Sequence, residues 1–196
     1  MIFRQLFDRE SSTYTYLVAD DRTGEAALVD PVLEHLERDL KLIAELGCRL
    51  VAVLDTHVHA DHVTAAGKLR ERTSCATHVS ARGGAPCADV TLADGSVVGV
   101  GGVVVRALAT PGHTNGCMSF VVSAEGEPLR VLTGDALLVR GCGRTDFQEG
   151  DASALWRSVH EKLFTLPDAT LVYPAHDYRG FTVSTIGEEK RLNPRL

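Results

Sequence analysis

Within one run of six residues, His57-Val58-His59-Ala60-Asp61-His62, four side chains could ligate a metal, and the run follows closely on the apolar stretch 50–54. From an extended backbone, an i, i+2 pair such as His57 and His59 can aim two imidazoles at one point. Asp61 and His62 would then leave at the following turn. Such a cluster has no evident structural purpose. Imidazole together with carboxylate suits zinc, iron or manganese rather than calcium or copper(I). Three further candidates lie downstream: His113 in Pro111-Gly112-His113-Thr114, Asp135 in Gly134-Asp135-Ala136, and His176 in Pro174-Ala175-His176-Asp177. His35, His78 and His160 stand alone and read as ordinary surface or hydrogen-bonded histidines.

The elements that must position these groups recur as one arrangement: a short apolar strand, then a polar loop bearing His or Asp. It occurs at VAVLDTHVHADH, RALATPGHT, RVLTGDALL and TLVYPAHDY. Loops at the ends of neighbouring strands converge, and function collects there. Strands are expected at 14–20, 25–30, 50–54, 76–79, 103–109, 118–123, 129–133 and 170–173. A first helix is expected after Asp30 as N-cap and Pro31 as N1. Its apolar face is Leu33, Leu36, Leu40, Ile43 and Leu46, and Gly47 ends it. A second helix is expected to begin near Asp61 and carry Lys68-Leu69-Arg70. A third is expected to be capped by Asp151, with Leu155, Val159 and Leu163 inward. This order suggests two sheets sandwiched by helices in a single domain, 1–196, with no linker and no repeat.

Composition narrows the function classes. Twenty Lys and Arg against 26 Asp and Glu give a net charge of −6. With no basic block, nucleic acid and anionic membranes are poor partners. The longest apolar run, 97–105, contains three glycines and is too short to span a bilayer. The N-terminus lacks the pattern of a secretion signal. Five cysteines form no CxxC pair, which points to free thiols in a reducing compartment. A bacterial cytoplasm is expected, or the mitochondrial matrix if a transit peptide has been removed. Cys48, Cys75, Cys87 and Cys117 are expected as small buried hydrophobes. Cys142, between two glycines, is left open.

THVHADH, followed in order by PGHT, TGDALL and PAHD, resembles the metallo-β-lactamase superfamily over nearly the whole chain. The resemblance implies an α/β fold, the αβ/βα four-layer sandwich, with the metal in a cleft at one edge. That superfamily hosts hydrolases, nucleases, oxidoreductases and oxygenases, so the fold does not decide the reaction. The loop Arg140-Gly141-Cys142-Gly143-Arg144-Thr145-Asp146-Phe147-Gln148-Glu149-Gly150 and the tail HDYRGFTVS with LNPR are similar to the persulfide dioxygenases. That family implies one Fe(II) per chain, held by His57, His113 and Asp135 as a facial triad with three open positions. His59, Asp61, His62 and His176 would then orient the ligands from behind. The residues alone do not choose between one metal and two.

The same resemblance implies oxidation of glutathione persulfide by O2 and water to sulfite and glutathione, and a homodimer. The persulfide is anionic while the chain is acidic, so a local basic group must hold it. Arg144, Tyr178 and Arg195 are the candidates. Arg144 could instead pair with Asp146 to brace its own loop. The rival reading is a dinuclear zinc hydrolase of glutathione thioesters, similar to glyoxalase II, which shares the TH-x-H-x-DH run. Glyoxalase II carries an extra C-terminal helical region, for which the 20 residues after His176 leave no room. A third reading, a non-catalytic metal-binding or redox-sensing protein, would need a closed site with four protein ligands.

Overall fold

Alternation along the strands sets the layering. In β2 (Tyr14–Ala19), Tyr14, Tyr16 and Val18 enter one apolar cluster while Leu17 and Ala19 enter another, so both faces are covered. β3 (Glu25–Val29) and β4 (Arg49–Leu54) divide the same way: Ala27, Val29, Ala52 and Leu54 on one side, Ala26, Leu28, Leu50 and Val53 on the other. In the computed structural model, which describes residues 1–196, these strands join β1 (Ile2–Phe7), β5 (Ala76–Ser80) and β6 (Val90–Leu92) in a six-stranded sheet of order β1-β2-β3-β4-β5-β6. The first three strands are antiparallel, and β3 to β6 run parallel.

A second six-stranded sheet is made of β7 (Val97–Val100), β8 (Val103–Ala109), β9 (Met118–Ser123), β10 (Arg130–Gly134), β11 (Leu171–Pro174) and β12 (Ser184–Thr185), in the order β12-β11-β10-β9-β8-β7. The inner faces meet through Tyr16, Leu54, Val105, Phe120 and Leu132, all buried. The first sheet's outer face is covered by α1 (Leu36–Glu45) and α2 (Ala66–Thr73), through Ile43 and Leu69. The second sheet's outer face is covered by α3 (Ala152–Ser158), its continuation Val159–Leu163, and α4 (Ile186–Leu192), through Leu155, Val159, Leu163 and Ile186. The expected four-layer αβ/βα sandwich is what forms.

Two expected helix starts are wrong, and each for a reason in the site. The chain after β3 forms a single 3-10 turn, Leu33–His35, and α1 begins only at Leu36, with no side-chain cap. Asp30 is not its N-cap. It is buried, at φ +50, and its carboxylate turns inward. Nor does α2 begin near Asp61: 57–65 remains loop, and the turn into α2 is organised by Thr64, whose hydroxyl donates to Asp55 and accepts from Ala66 N–H. Asp151 does cap α3, accepting from Ala154 N–H at 2.9 Å. Gly47 does end α1, at φ +66. Cys75 and Cys117 are buried, but Cys87 is exposed and Cys48 partly so, which corrects the expectation for those two. β6, β7, β12 and α4 lie beyond the elements expected from pattern.

Candidate metal centre

His57 stands three residues past the end of β4, and two hydrogen bonds determine which of its nitrogens is free. Asp30, at the end of neighbouring β3, accepts from Thr56 N–H at 2.7 Å and from the Thr56 hydroxyl at 2.8 Å. A hydroxyl has one proton. Having given it to Asp30, Thr56 Oγ1 can only accept from His57 Nδ1, 2.9 Å away. His57 therefore carries its proton on Nδ1 and leaves Nε2 bare. His113, in the loop between β8 and β9, is set the same way: its Nδ1 lies 2.8 Å from the carbonyl of Arg144, which can only accept. Its Nε2 is also bare, 3.5 Å from Asp135 Oδ2.

Asp135 follows Gly134, at the end of β10. Gly134 has φ +54, and a Cβ there would come within 2.9 Å of Thr56 Cβ, so its lack of a side chain brings the Asp135 loop against the His57 loop. Gly143 plays the matching part opposite: a Cβ there would lie 2.5 Å from the Asp135 carbonyl and 2.9 Å from His113 Nδ1. The His57 and His113 rings stand edge to face, 5.0 Å between centroids. One ligand atom from each of His57, His113 and Asp135 lies within 4.8 Å of the others. Ligands of one ion, at bonds of about 2.0–2.2 Å, stand about 3 Å apart when adjacent and about 4.4 Å when opposite, so the three groups are close enough for one ion to draw them together. The donor set, two bare imidazole nitrogens and a carboxylate, fits a divalent metal.

His59, Asp61 and His62 form a second such group. His59 Nε2 lies 3.1 Å from Asp30 and its Nδ1 3.7 Å from Asp61, with neither nitrogen hydrogen-bonded. His62 Nδ1 is 3.0 Å from Asp61 Oδ2, and its Nε2 is buried without a partner. His176 faces carboxylates at both nitrogens: Asp135 at 2.6 Å from Nδ1 and Asp61 at 3.0 Å from Nε2. Thr13 Oγ1 joins the same point, 3.0 Å from Asp61 Oδ2 and 3.1 Å from His176 Nε2.

The electrostatics follow from this packing. Burial depresses His57 to about 3, with the neighbouring His59 charge adding to it, so His57 is neutral. Burial works against the charge of His59 as well, yet Asp30 raises it to about 10. For His176 burial is again outweighed, by hydrogen bonds to Asp135 and Asp61, and it rises to about 9. Asp135 is held down to about 2 by His176 despite its burial. Asp55 is pushed up to about 7 by burial and by the charge of Asp30. At neutral pH two imidazolium rings, His59 and His176, thus face three carboxylates, Asp30, Asp61 and Asp135. The residual charge is negative and favours a cation.

His57, His113 and Asp135 open on a cavity of about 390 Å³ that Arg144, Phe147 and Tyr178 also line. Arg144, Cys142, His176 and Tyr178 are shared with a larger cavity of about 810 Å³, which Trp156, Arg179 and Arg195 line. All three sequence-based substrate candidates therefore border one groove. Tyr178 stacks parallel on His176 and is 71% exposed. Arg144 is bidentate to Asp146, at 2.8 and 3.1 Å, with both side chains exposed. The bracing pair foreseen as its alternative is thus formed, though an exposed pair is worth only about 0–1 kcal/mol. Cys142 borders both cavities, and burial raises its thiol.

Sequence reasoning missed Asp30, Thr56, Asp55 and Thr13. Asp30 ends a strand in the run Ala26-Ala27-Leu28-Val29-Asp30, the same strand-then-carboxylate arrangement that marked Asp135, so the signal was present. His35, His78 and His160 stay outside the centre: His35 pairs with Asp8 at 2.9 Å, His78 Nδ1 lies 3.2 Å from the Val53 carbonyl, and His160 stacks on Trp156.

The model of the metallo-beta-lactamase superfamily matches residues 8–176. The mitochondrial persulfide dioxygenase ETHE1 of Homo sapiens is 51% identical over the whole chain, which spans 76% of that protein. The crystal structure of ETHE1 from Myxococcus xanthus superposes with a TM-score of 0.94 at 59% identity, covering 99% of this chain and 84% of that one. A hydroxyacylglutathione hydrolase of Cereibacter sphaeroides is more distant: 37% identical over 86% of this chain and 64% of its own length. The chain belongs to the metallo-beta-lactamase superfamily and, within it, to the persulfide dioxygenases.

Proposed function

We propose that the chain binds one Fe(II) through His57 Nε2, His113 Nε2 and Asp135, and oxidises glutathione persulfide with O2 and water to sulfite and glutathione. The observation that carries this is the orientation of the two histidines. Both Nδ1 protons are committed to fixed acceptors, which leaves both Nε2 atoms free in a cluster that borders the cavity, His113 Nε2 lying 3.5 Å from Asp135. Fe(II), when held by these two imidazoles and the carboxylate, would supply O2 activation next to the persulfide.

The chain's own residues bind, orient and hold protons. The groove's guanidinium groups, Arg144, Arg179 and Arg195, offset the tripeptide's carboxylates in an otherwise acidic protein. Tyr178, parallel to the His176 ring, lines both the groove and the cavity at the proposed ligands. His176, as an imidazolium, holds Asp135 at one oxygen and leaves the other directed at His113. His59, Asp61 and His62 act behind the ligands, tied to Asp30 and Thr13. The proposal includes a single domain, a homodimer, and a bacterial cytoplasm or mitochondrial matrix, where five free thiols persist. Light scattering tests the dimer and cell fractionation the compartment.

The second group, His59, Asp61 and His62, supports the rival reading, a two-metal thioester hydrolase. The closed-site reading has no support, since the triad borders a cavity. Metal analysis of protein purified without added metal separates the readings. About one iron per chain is expected; two tightly bound zincs, with activity tracking zinc, would overturn the oxygenase. His57→Ala, His113→Ala and Asp135→Ala should abolish iron binding. His59→Ala and His176→Ala should retain iron with roughly 10- to 100-fold losses in affinity or activity. Equal and total iron loss in all five contradicts the division.

A further inference from the structure

Glu189, on α4, is fully buried and far in sequence from every ligand, yet it is saturated with donors. Its carboxylate accepts from Arg140 N–H at 2.9 Å, from the Arg140 guanidinium, from the Ser184 hydroxyl at 2.5 Å and from Asn193 Nδ2 at 2.9 Å. Asn193, just past α4, donates to the carbonyls of Gly141 at 3.0 Å and Leu138 at 3.4 Å. Between them these two side chains grip a tight turn in which Leu138 and Gly141 exchange backbone hydrogen bonds of 3.0 and 3.1 Å. At its apex Arg140 sits at φ +59, a left-handed conformation costly for a residue with a side chain.

The turn is the middle of a short path between two proposed ligands. It leaves Asp135, and its return leg is pinned at Gly143 N–H, which donates to the Asp135 carbonyl at 2.8 Å. One residue later, the Arg144 carbonyl holds His113 Nδ1. The same leg presents Cys142 and Arg144 to the groove. We infer that Glu189 is a positioning residue: by clamping the turn at Arg140, assisted by Asn193, it sets the loop on which the His113 tautomer and the placement of Arg144 depend. The inference deepens the proposed oxidation and rests on it for the role of Arg144.

The test is Glu189→Gln. All four contacts to this carboxylate come from donors, so an amide in either orientation sets its own N–H2 against them. Three readouts are taken: amide exchange of 138–143, metal affinity by chelator competition, and KM against kcat for glutathione persulfide. Lys190→Ala, on the same helix but tied only to exposed Asp168, reports what mere loosening of α4 does. Glu188→Gln removes only the charge paired with the Arg140 guanidinium and leaves an oxygen to accept from it. Asn193→Ala, a milder lesion of the same turn, replaces Glu189→Gln if that variant fails to fold.

Exchange at Leu138, Gly141 and Gly143 should rise at least about tenfold, metal affinity should fall roughly 10-fold or more, and KM should rise more than kcat falls. Both control variants should leave all three near the unmodified values. Exchange and metal affinity within about twofold of the Lys190→Ala variant would overturn the inference. If the unmodified enzyme fails to oxidise persulfide, the reaction proposal falls, but exchange and metal affinity still decide the positioning role.

Discussion

Replacing Asp30 by Asn exchanges one carboxylate oxygen for an amide nitrogen and reverses a chain of hydrogen bonds that ends at His57, a proposed metal ligand. Asp30 Oδ1 receives Thr56 N–H and faces His59, while Oδ2 receives the Thr56 hydroxyl. An Asn with its oxygen toward Thr56 N–H points its amide at Thr56 Oγ1. The threonine then accepts, turns its own proton toward His57 Nδ1, and drives the imidazole proton to Nε2, the atom proposed to bind the metal. The opposite flip sets N–H2 against both Thr56 N–H and His59. Asn tolerates the left-handed backbone at this position, so the effect is not one of strain. One misdirected buried partner costs about 1–3 kcal/mol. Loss of an orienting group behind a metal ligand costs roughly 10- to 100-fold in affinity. Urea denaturation of the metal-free variant measures the first effect, and chelator competition the second. Metal affinity within about twofold of the unmodified protein would refute the tautomer argument.

Gly143→Ala places a methyl against the Asp135 carbonyl and His113 Nδ1, neither of which can yield, so about 1–3 kcal/mol of overpacking and a measurable fall in metal affinity are expected by the same two assays. Arg144→Ala should leave urea stability within about 1 kcal/mol, because its ion pair is exposed. Its KM for glutathione persulfide should rise more than kcat falls; unchanged KM with less folded protein would favour the bracing role. The metal-free protein should lose stability as pH rises. His59 (about 10) and His176 (about 9) are raised above their unfolded value, so their contribution is complete below about 6.5 and disappears as pH passes 9 to 10. Asp55 (about 7) acts in the same direction, as a buried acid that must ionise. Depressed His57 (about 3) matters only below its unfolded value. A urea midpoint at pH 9.5 equal to or above that at pH 6.5 would contradict this.

What was legible in the sequence was local. β8 (VVVRALA) and β9 (MSFVVS) are short apolar runs rich in valine, and both form at the limits expected from the sequence. Asp151 is a cap because nothing else competes for its carboxylate. Asp30 has the same local signature, with proline after it, but a tertiary partner, Thr56 just past the end of the next strand, claims it. The ligand candidates were legible as residue types after strands. Their proposed division into ligands and supports came from the family resemblance and not from spacing, because it depends on which nitrogen each neighbour occupies, and those neighbours are Asp30, Thr13 and the Arg144 carbonyl. α4 escaped notice because its run of Glu188, Glu189, Lys190 and Arg191 reads as a solvated surface, whereas Glu189 is buried by the loop it clamps. The exposure of Cys87 likewise depends on where the loop between β5 and β6 lies.

The central claim is that the two bare nitrogens and Asp135 hold a redox metal beside a persulfide-binding groove. Oxygen uptake tests it most directly, with iron-loaded protein in a sealed electrode cell and glutathione persulfide or S-lactoylglutathione added in turn. The account expects O2 consumption with the persulfide, in step with sulfite formation, and little cleavage of the thioester. Fast thioester hydrolysis that proceeds without oxygen, together with no uptake on persulfide, would contradict it.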